Sequence, residues 1–306
     1  MIDRRTLLLG SIAAAGLGSN AFAQAAHLPA IASFSILADF VAQVAGDRLA
    51  LGLLIGAGGD AHSYSPTPAD SRALAQAQLV FVNGLGFEGW LNRLIRSSGT
   101  KATIVTATTG ITPIKAAEHD HGRSHAGHNH GEHDPHAWQS VANAKIYVAN
   151  IRNALVAADP AARAHYETRA TAYLATLDSL EAEVRAAIAR IPQNRRAIVT
   201  SHDAFEYFGQ AYGLKFLSPK GLSTAAEPTP RAIANLIRQI RADKITAVFI
   251  EAISDPRLMK RIADESGARI GGTLFSDSVS ATDGPAPTYV AMIRHNVAQF
   301  SQALLA

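Results

Sequence analysis

The stretch Leu79-Val-Phe-Val-Asn-Gly-Leu-Gly-Phe-Glu-Gly-Trp-Leu91 reads as a short apolar strand, a glycine-rich turn and the opening of a helix. Ala247-Val-Phe-Ile250 begins the same order of events, with a turn and then Leu258-Met259. Working outward, Ala30-Ile-Ala-Ser33, running into Phe40-Val41 and closing at Gly46, is answered by Ala197-Ile-Val-Thr200, running into Tyr207-Phe208 and closing at Gly213. Ala102-Thr-Ile104 is answered by Ala268-Arg-Ile270, and Ser65-Pro-Thr-Pro68 by Glu227-Pro-Thr-Pro230. Four matches in one order at nearly one offset predict a duplicated lobe. The predicted class is α/β: two similar lobes, each a parallel sheet flanked by helices, with loops at the strands' carboxyl ends free to bind a ligand.

Residues 24–158 and 193–306 are the two expected lobes, and 159–192 the helix that joins them. Asp159 is placed as its N-cap, Pro160 at its first position and Pro192 at its stop. Tyr166, Ala170, Tyr173, Leu177, Leu180, Val184, Ala187 and Ile191 give it one buried stripe. A helix of about 31 residues spans roughly 46 Å, enough for a rigid spine along both lobes that limits their relative motion.

With 48% hydrophobic residues among 306, the chain can build ordinary cores. A net charge of +3 without a basic run argues against a nucleic-acid partner. The absence of cysteine excludes disulfides, thiolate zinc sites and a cysteine nucleophile, so soft-metal chemistry falls to imidazole and carboxylate. Residues 1–23 carry Arg4 and Arg5, an apolar run from Thr6 to Gly18, and Ala21-Phe22-Ala23 in the form a signal peptidase accepts. A cleaved export signal is expected, by the Sec or the Tat route, with the mature chain starting near Gln24.

From His119 to His136 the chain reads HDHGRSHAGHNHGEHDPH, a tract with almost nothing to bury. His119, His121, His125, His128, His130 and His133, in the loop 119–133, are assigned to auxiliary metal capture, since ordering such a tract costs entropy at each binding event. The main-site candidates are His62, His136, His202 and Asp277. Three of them follow predicted strands, and two come from each half, so lobes folded face to face could join them in the cleft. Three neutral imidazoles and one carboxylate suit a closed tetrahedral zinc shell, which favours holding an ion over catalysis. Spacing alone leaves structural roles open for each histidine, and Glu251 and Asp283 as rival carboxylates.

The segments Asp60-Ala-His-Ser-Tyr-Ser-Pro-Thr-Pro, Leu79 to Leu91, Asp134-Pro-His-Ala-Trp, Ser201-His-Asp-Ala-Phe-Glu-Tyr-Phe, Glu227-Pro-Thr-Pro and Tyr289 to Asn296 resemble the zinc- or manganese-specific solute-binding proteins of ABC importers, the ZnuA/TroA family, and most of all its AztC-type zinc members. The resemblance implies a metal buried between lobes, with His62 and His136 as ligands from the first and His202 and Asp277 from the second. It implies a periplasmic protein, not an enzyme, that delivers Zn²⁺ to a membrane permease, with a possible metallochaperone and a monomeric state. Manganese-binding relatives tend to carry a carboxylate where this chain has His202, so the imidazole-rich shell and the histidine-rich insertion favour zinc. Ala61 stands where the family often supplies an acid, leaving Asp60 a supporting role. The competing readings are a manganese-binding homologue, or a zinc hydrolase with Asp277 as general base. Because zinc needs neutral imidazole, affinity is expected to fall as pH drops through about 6.5.

Overall fold

The computed structural model describes residues 27–116 and 132–306. The expected export signal and His119, His121, His125, His128 and His130 lie outside the described residues. The first lobe runs β1 (Leu28–Phe34), α1 (Ser35–Ala45), β2 (Leu49–Ile55), α2 (Pro68–Gln76), β3 (Leu79–Val82), α3 (Leu91–Ser98), β4 (Thr103–Thr106) and α4 (Val141–Ala158). After α5 (Arg163–Ala189), the second lobe runs β5 (Ala197–Val199), α6 (Glu206–Tyr212), β6 (Lys215–Leu217), α7 (Pro230–Ala242), β7 (Ala247–Glu251), α8 (Pro256–Ser266), β8 (Arg269–Leu274) and α9 (Tyr289–Leu305).

Both sheets are parallel throughout, in the orders β2-β1-β3-β4 and β6-β5-β7-β8, the same topology twice. The duplication read from apolar runs is therefore one of topology. Ala30 to Phe34 are all buried, because helices cover both faces of the central strand and leave no polar alternation. The two Pro-Thr-Pro segments are helix-start devices. Thr67 caps α2 in a reciprocal box with Asp70, Thr229 caps α7 through Ala232 N–H, and Pro68 and Pro230 follow at the first helical position.

The copies differ in strength. β1 and β2 are seven residues long and paired from Leu28↔Leu49 to Phe34↔Ile55, whereas β5 and β6 are three residues each. β5 meets β7 at Val199↔Val248, and the β7–β8 pair slips register between Val248 and Phe249. One continuous apolar core takes in the first lobe, α5, α6 and much of α9, while a smaller cluster around Val199, Leu236, Val248, Met259 and Ile262 fills the far side of the second lobe.

The spine differs from its expected start. Pro160–Ala162 form a 3-10 turn and the α-helix begins at Arg163, so its 27 residues span about 40 Å. Asp159 does not cap it. Its Oδ2 accepts hydrogen bonds from Arg48 Nη2 and the Tyr166 hydroxyl, both at 3.0 Å, which ties the spine's entry to the end of α1. The buried stripe holds from Tyr166 to Val184 and then passes to Ile188, because Ala187 is only half-buried. Each large apolar side chain on it contributes roughly 1.5–3 kcal/mol of gross burial. A second brace joins the lobes: Asp39 in α1 accepts from Tyr289 N–H at the start of α9 (2.8 Å), and the Tyr289 hydroxyl donates to Trp138 O (2.8 Å). Among the described residues no helix is long and apolar enough to cross a membrane.

Candidate metal centre

His62 lies in the loop between β2 and α2. Its backbone N–H donates to Asp60 Oδ1 (2.9 Å), and Trp90 Nε1 donates to Ala61 O (2.9 Å), so the loop is fixed on both sides of the residue. The ring stands edge-on to Phe87, 4.9 Å between centroids. Phe87 is delivered by the turn after β3. There Gly84 has φ +92°, and a Cβ on it would sit 2.6 Å from Thr106 Cγ2. Glu88, next to Phe87, folds back to accept from Asn83 N–H and the Ser33 hydroxyl, both at 2.6 Å.

His136 repeats the arrangement of His62 with one addition. Its N–H donates to Asp134 Oδ1 (2.9 Å), and its ring Nδ1 also lies 2.7 Å from that oxygen. His202 follows β5 and is held by Glu251 at the end of β7. Glu251 Oε1 accepts from Ser201 N–H (2.7 Å) and His202 N–H (2.9 Å), while Oε2 lies 2.6 Å from His202 Nδ1. Asp277 arrives three residues after β8.

These four side chains converge, with one ligand atom from each within 4.8 Å of all the others; they are the one such group among the described residues. His62 Nε2 lies 3.2 Å from His136 Nε2 and 3.2 Å from Asp277 Oδ2, His202 Nε2 lies 3.3 Å from Asp277 Oδ2, and His136 Nε2 lies 3.7 Å from Asp277 Oδ1. A tetrahedron with bonds of about 2.0–2.2 Å has edges of roughly 3.3–3.6 Å, and the His62–His136, His62–Asp277 and His202–Asp277 pairs stand near that spacing. Both Asp277 oxygens are buried and, among the described residues, face the ring nitrogens of the three histidines and no other donor, an arrangement that a shared cation satisfies.

Charge makes the same demand. Asp134, Glu251 and Asp277 are all buried around three imidazoles, so neutral rings would leave an uncompensated cluster of negative charge. Burial opposes a charged His136 ring, but Asp277 and then Asp134 outweigh it and raise its pKa to about 9. Burial likewise opposes a charged His202, and Glu251 and Asp277 hold it well above the usual range. Asp277 is held well below the carboxylate range in spite of burial, by the charges of His202 and His136. His62 goes the other way: burial dominates and lowers it.

All four expected ligands are therefore brought together. Of the rivals, Asp283 is exposed, and Glu251 stands behind His202 instead of facing the centre. His133 is paired with Lys115 in an isolated antiparallel bridge and is not one of the convergent groups. Of the supporting acids the sequence points to Asp60, which accepts from His62 N–H, but Asp134 and Glu251 were not assigned such a role. The signal for Asp134 was present, since Asp-x-His occurs at both Asp60-Ala-His62 and Asp134-Pro-His136. For Glu251 there was none, because its role depends on β7 lying beside β5.

Comparison with known proteins identifies the family and the fold. Residues 31–303 match the family model described as zinc-uptake complex component A, periplasmic. The chain is 34% identical over 277 residues to the manganese-binding lipoprotein MntA of Halalkalibacterium halodurans, covering 90% of this chain and 88% of that protein. It is 35% identical over 268 residues to the iron-binding protein YfeA of Yersinia pestis, covering 87% and 83%. The solved structure of the periplasmic zinc-binding protein TroA from Treponema pallidum superimposes with a TM-score of 0.81 at 29% identity, over 90% of this chain and 99% of that one.

Proposed function

Because the chain belongs to the family of periplasmic zinc-uptake complex component A proteins, we propose that its cleft captures Zn²⁺ and delivers it to the permease of an ABC importer. The protein is the metal-binding component of such an importer, working outside the inner membrane, and not an enzyme. This sets aside the hydrolase reading. Asp277 also faces all three histidines, 3.2–3.7 Å from their ring nitrogens, the placement of a fourth ligand.

Zinc is the finer part of the proposal, because similar proteins carry names for manganese and iron as well as zinc. The observation that carries it is the donor set: His62, His136 and His202 supply three nitrogens that converge within 4.8 Å of one another, with an Asp277 oxygen as the fourth ligand atom. Imidazole nitrogen favours zinc over manganese, which prefers more oxygens and higher coordination numbers. Both Asp277 oxygens face the histidines, and bidentate binding would make the five-coordinate centre that a manganese reading needs. The loop histidines, His133 included, serve auxiliary capture ahead of the site. A metallochaperone could load it, and the protein acts as a monomer.

A competition titration of the mature protein with Zn²⁺ against Mn²⁺, recording stoichiometry, tests this. The expected result is one tight zinc that manganese does not displace, with weaker zinc beyond it. Manganese retained at the tight site in the presence of equal zinc overturns the metal assignment.

A further inference from the structure

By chain position, the centre takes two ligands from each lobe. The hydrogen bonds around Asp277 divide it differently. β8 is tied to its own lobe as far as Phe275: Ala252 N–H donates to Leu274 O (2.9 Å), and the Asn296 side chain of α9 binds Phe275 N–H (3.0 Å) and O (2.7 Å). One residue later the partners change. Ser276 O accepts from Trp138 Nε1 (2.9 Å) and Gln139 Nε2 (2.8 Å), two and three residues beyond the ligand His136. On the other side, Gly58 N–H, in the loop that carries His62, donates to Ser278 Oγ (2.6 Å) and lies 3.2 Å from Val279 O. Ser35 at the start of α1 pairs with Ser278 Oγ (3.0 Å) and accepts from Val279 N–H (3.1 Å). Ser276, Ser278 and Val279 are buried, so water does not compete for these bonds.

Among the described residues His202 itself makes no such hydrogen bond across the lobes. Its backbone and ring Nδ1 face Glu251, Thr200 Oγ1 donates to His202 O (3.1 Å), and Thr200 N–H donates to Leu217 O (2.9 Å), all within the second lobe. Among the described residues the nearest tie across the lobes on this side is five residues away, where the Tyr207 hydroxyl donates to Asp134 O (3.1 Å) and accepts from Ile114 N–H (3.1 Å); further ties run from Val141 N–H to the Tyr212 hydroxyl and from the Thr224 hydroxyl to Asp60 Oδ2.

We propose that Asp277 is mechanically part of the first lobe, so that the centre is a three-ligand cradle of His62, His136 and Asp277 closed by His202 alone. Ser35, Ser278, Trp138 and Gln139 are positioning residues that hold the carboxylate in the cradle. Ion release is the withdrawal of one imidazole with the second lobe, and the segment 276–279 stays behind. This rests on the assignment of the four residues as ligands.

Two measurements on the full mature protein test it. In stopped-flow release of Zn²⁺ into excess chelator, the Ser35→Ala/Ser278→Ala variant should lose zinc about tenfold faster than the parent, since it removes four hydrogen bonds of modest net worth. Independently of that variant's folding, crystal structures of the parent with and without Zn²⁺, superimposed on β1–β4, should show Asp277 Cα fixed beside His62 and His136 and His202 Cα displaced. Asp277 moving with β7 and β8, or unchanged release from the variant, overturns the proposal while leaving the ligand assignment intact. A parent protein whose tight zinc is unaffected by His202→Ala or Asp277→Ala overturns both.

Discussion

The two lobes share a strand order but not a stiffness, and the difference decides what each brings to the ion. The first lobe has a seven-residue β1–β2 pair, the larger share of the continuous core, and bonds from both of its ligand loops to the segment around Asp277. The second has three-residue strands beside its ligand, a slip in the β7–β8 register and a smaller core of its own. Duplication supplied two similar scaffolds, and packing turned one into a platform and the other into a cap. A metal carrier needs this asymmetry, because a closed shell holds an ion tightly yet must open to release it.

The largest effect that sharpens the comparison comes from removing the cap's ligand. His202→Ala should weaken zinc binding roughly a thousandfold, beyond the 10–100-fold usual for losing a supporting partner, while leaving a single weak site on the platform. Deleting residues 119–133 should cost far less affinity at the tight site and reduce the number of weaker zincs. Isothermal titration of both variants checks the order, and a loop deletion more damaging than His202→Ala would break the ligand assignment.

Protons probe the same asymmetry. With His136 raised to about 9 and His202 well above its usual range, both rings carry protons in the metal-free protein at neutral pH, and zinc must displace them. Apparent zinc affinity should therefore climb with pH as far as about 9, not level off above 6.5 as unperturbed histidine would imply. Two displaced protons give about a hundredfold per pH unit while both rings are protonated, so the affinity should rise by several orders of magnitude between pH 6 and 9. The stability of the metal-free protein runs the other way. A folded pKa above the unfolded value means that the contribution of His136 is present below about 6.5 and lost as pH rises through about 9. Thermal melts with and without zinc at both ends of this range should show the stabilisation by zinc widening with pH, and a constant gap would contradict it.

The four convergent residues were legible because three of them, His62, His202 and Asp277, lie just past apolar strand runs and the segments around them carry the family resemblance. The spine was legible from its 3–4 periodicity, but its opening was not, because Asp159 is drawn away by Arg48, a residue distant in sequence. α4 had no place in the reading, although Val141, Ala144, Val148, Ile151 and Leu155 mark its buried face. The bonds to Ser276 O, and those from Gly58 and Ser35 to Ser278, were illegible in principle. A carbonyl or serine hydroxyl that will meet a partner hundreds of residues away leaves no periodic trace.

The finest contrast lies between the two supporting acids. Glu251 uses its oxygens separately: Oε1 takes two backbone N–H groups and Oε2 faces His202 Nδ1. In Glu251→Gln the amide oxygen must stay with the N–H donors, so the NH₂ group faces Nδ1 and forces that nitrogen to accept. The neutral ring then carries its proton on Nε2, the atom aimed at the ion. Asp134 places both of its contacts with His136 on Oδ1, and Oδ2 has no partner. Asp134→Asn can keep oxygen at the shared position and leave the His136 tautomer unchanged, at the cost of a buried NH₂. Supporting partners typically account for 10–100-fold in metal affinity, and Glu251→Gln should fall near about a hundredfold and Asp134→Asn near about tenfold. Zinc titration of the two variants at one pH measures the difference. Equal losses would mean that charge alone, and not the placement of the proton on the ring, is what these carboxylates supply.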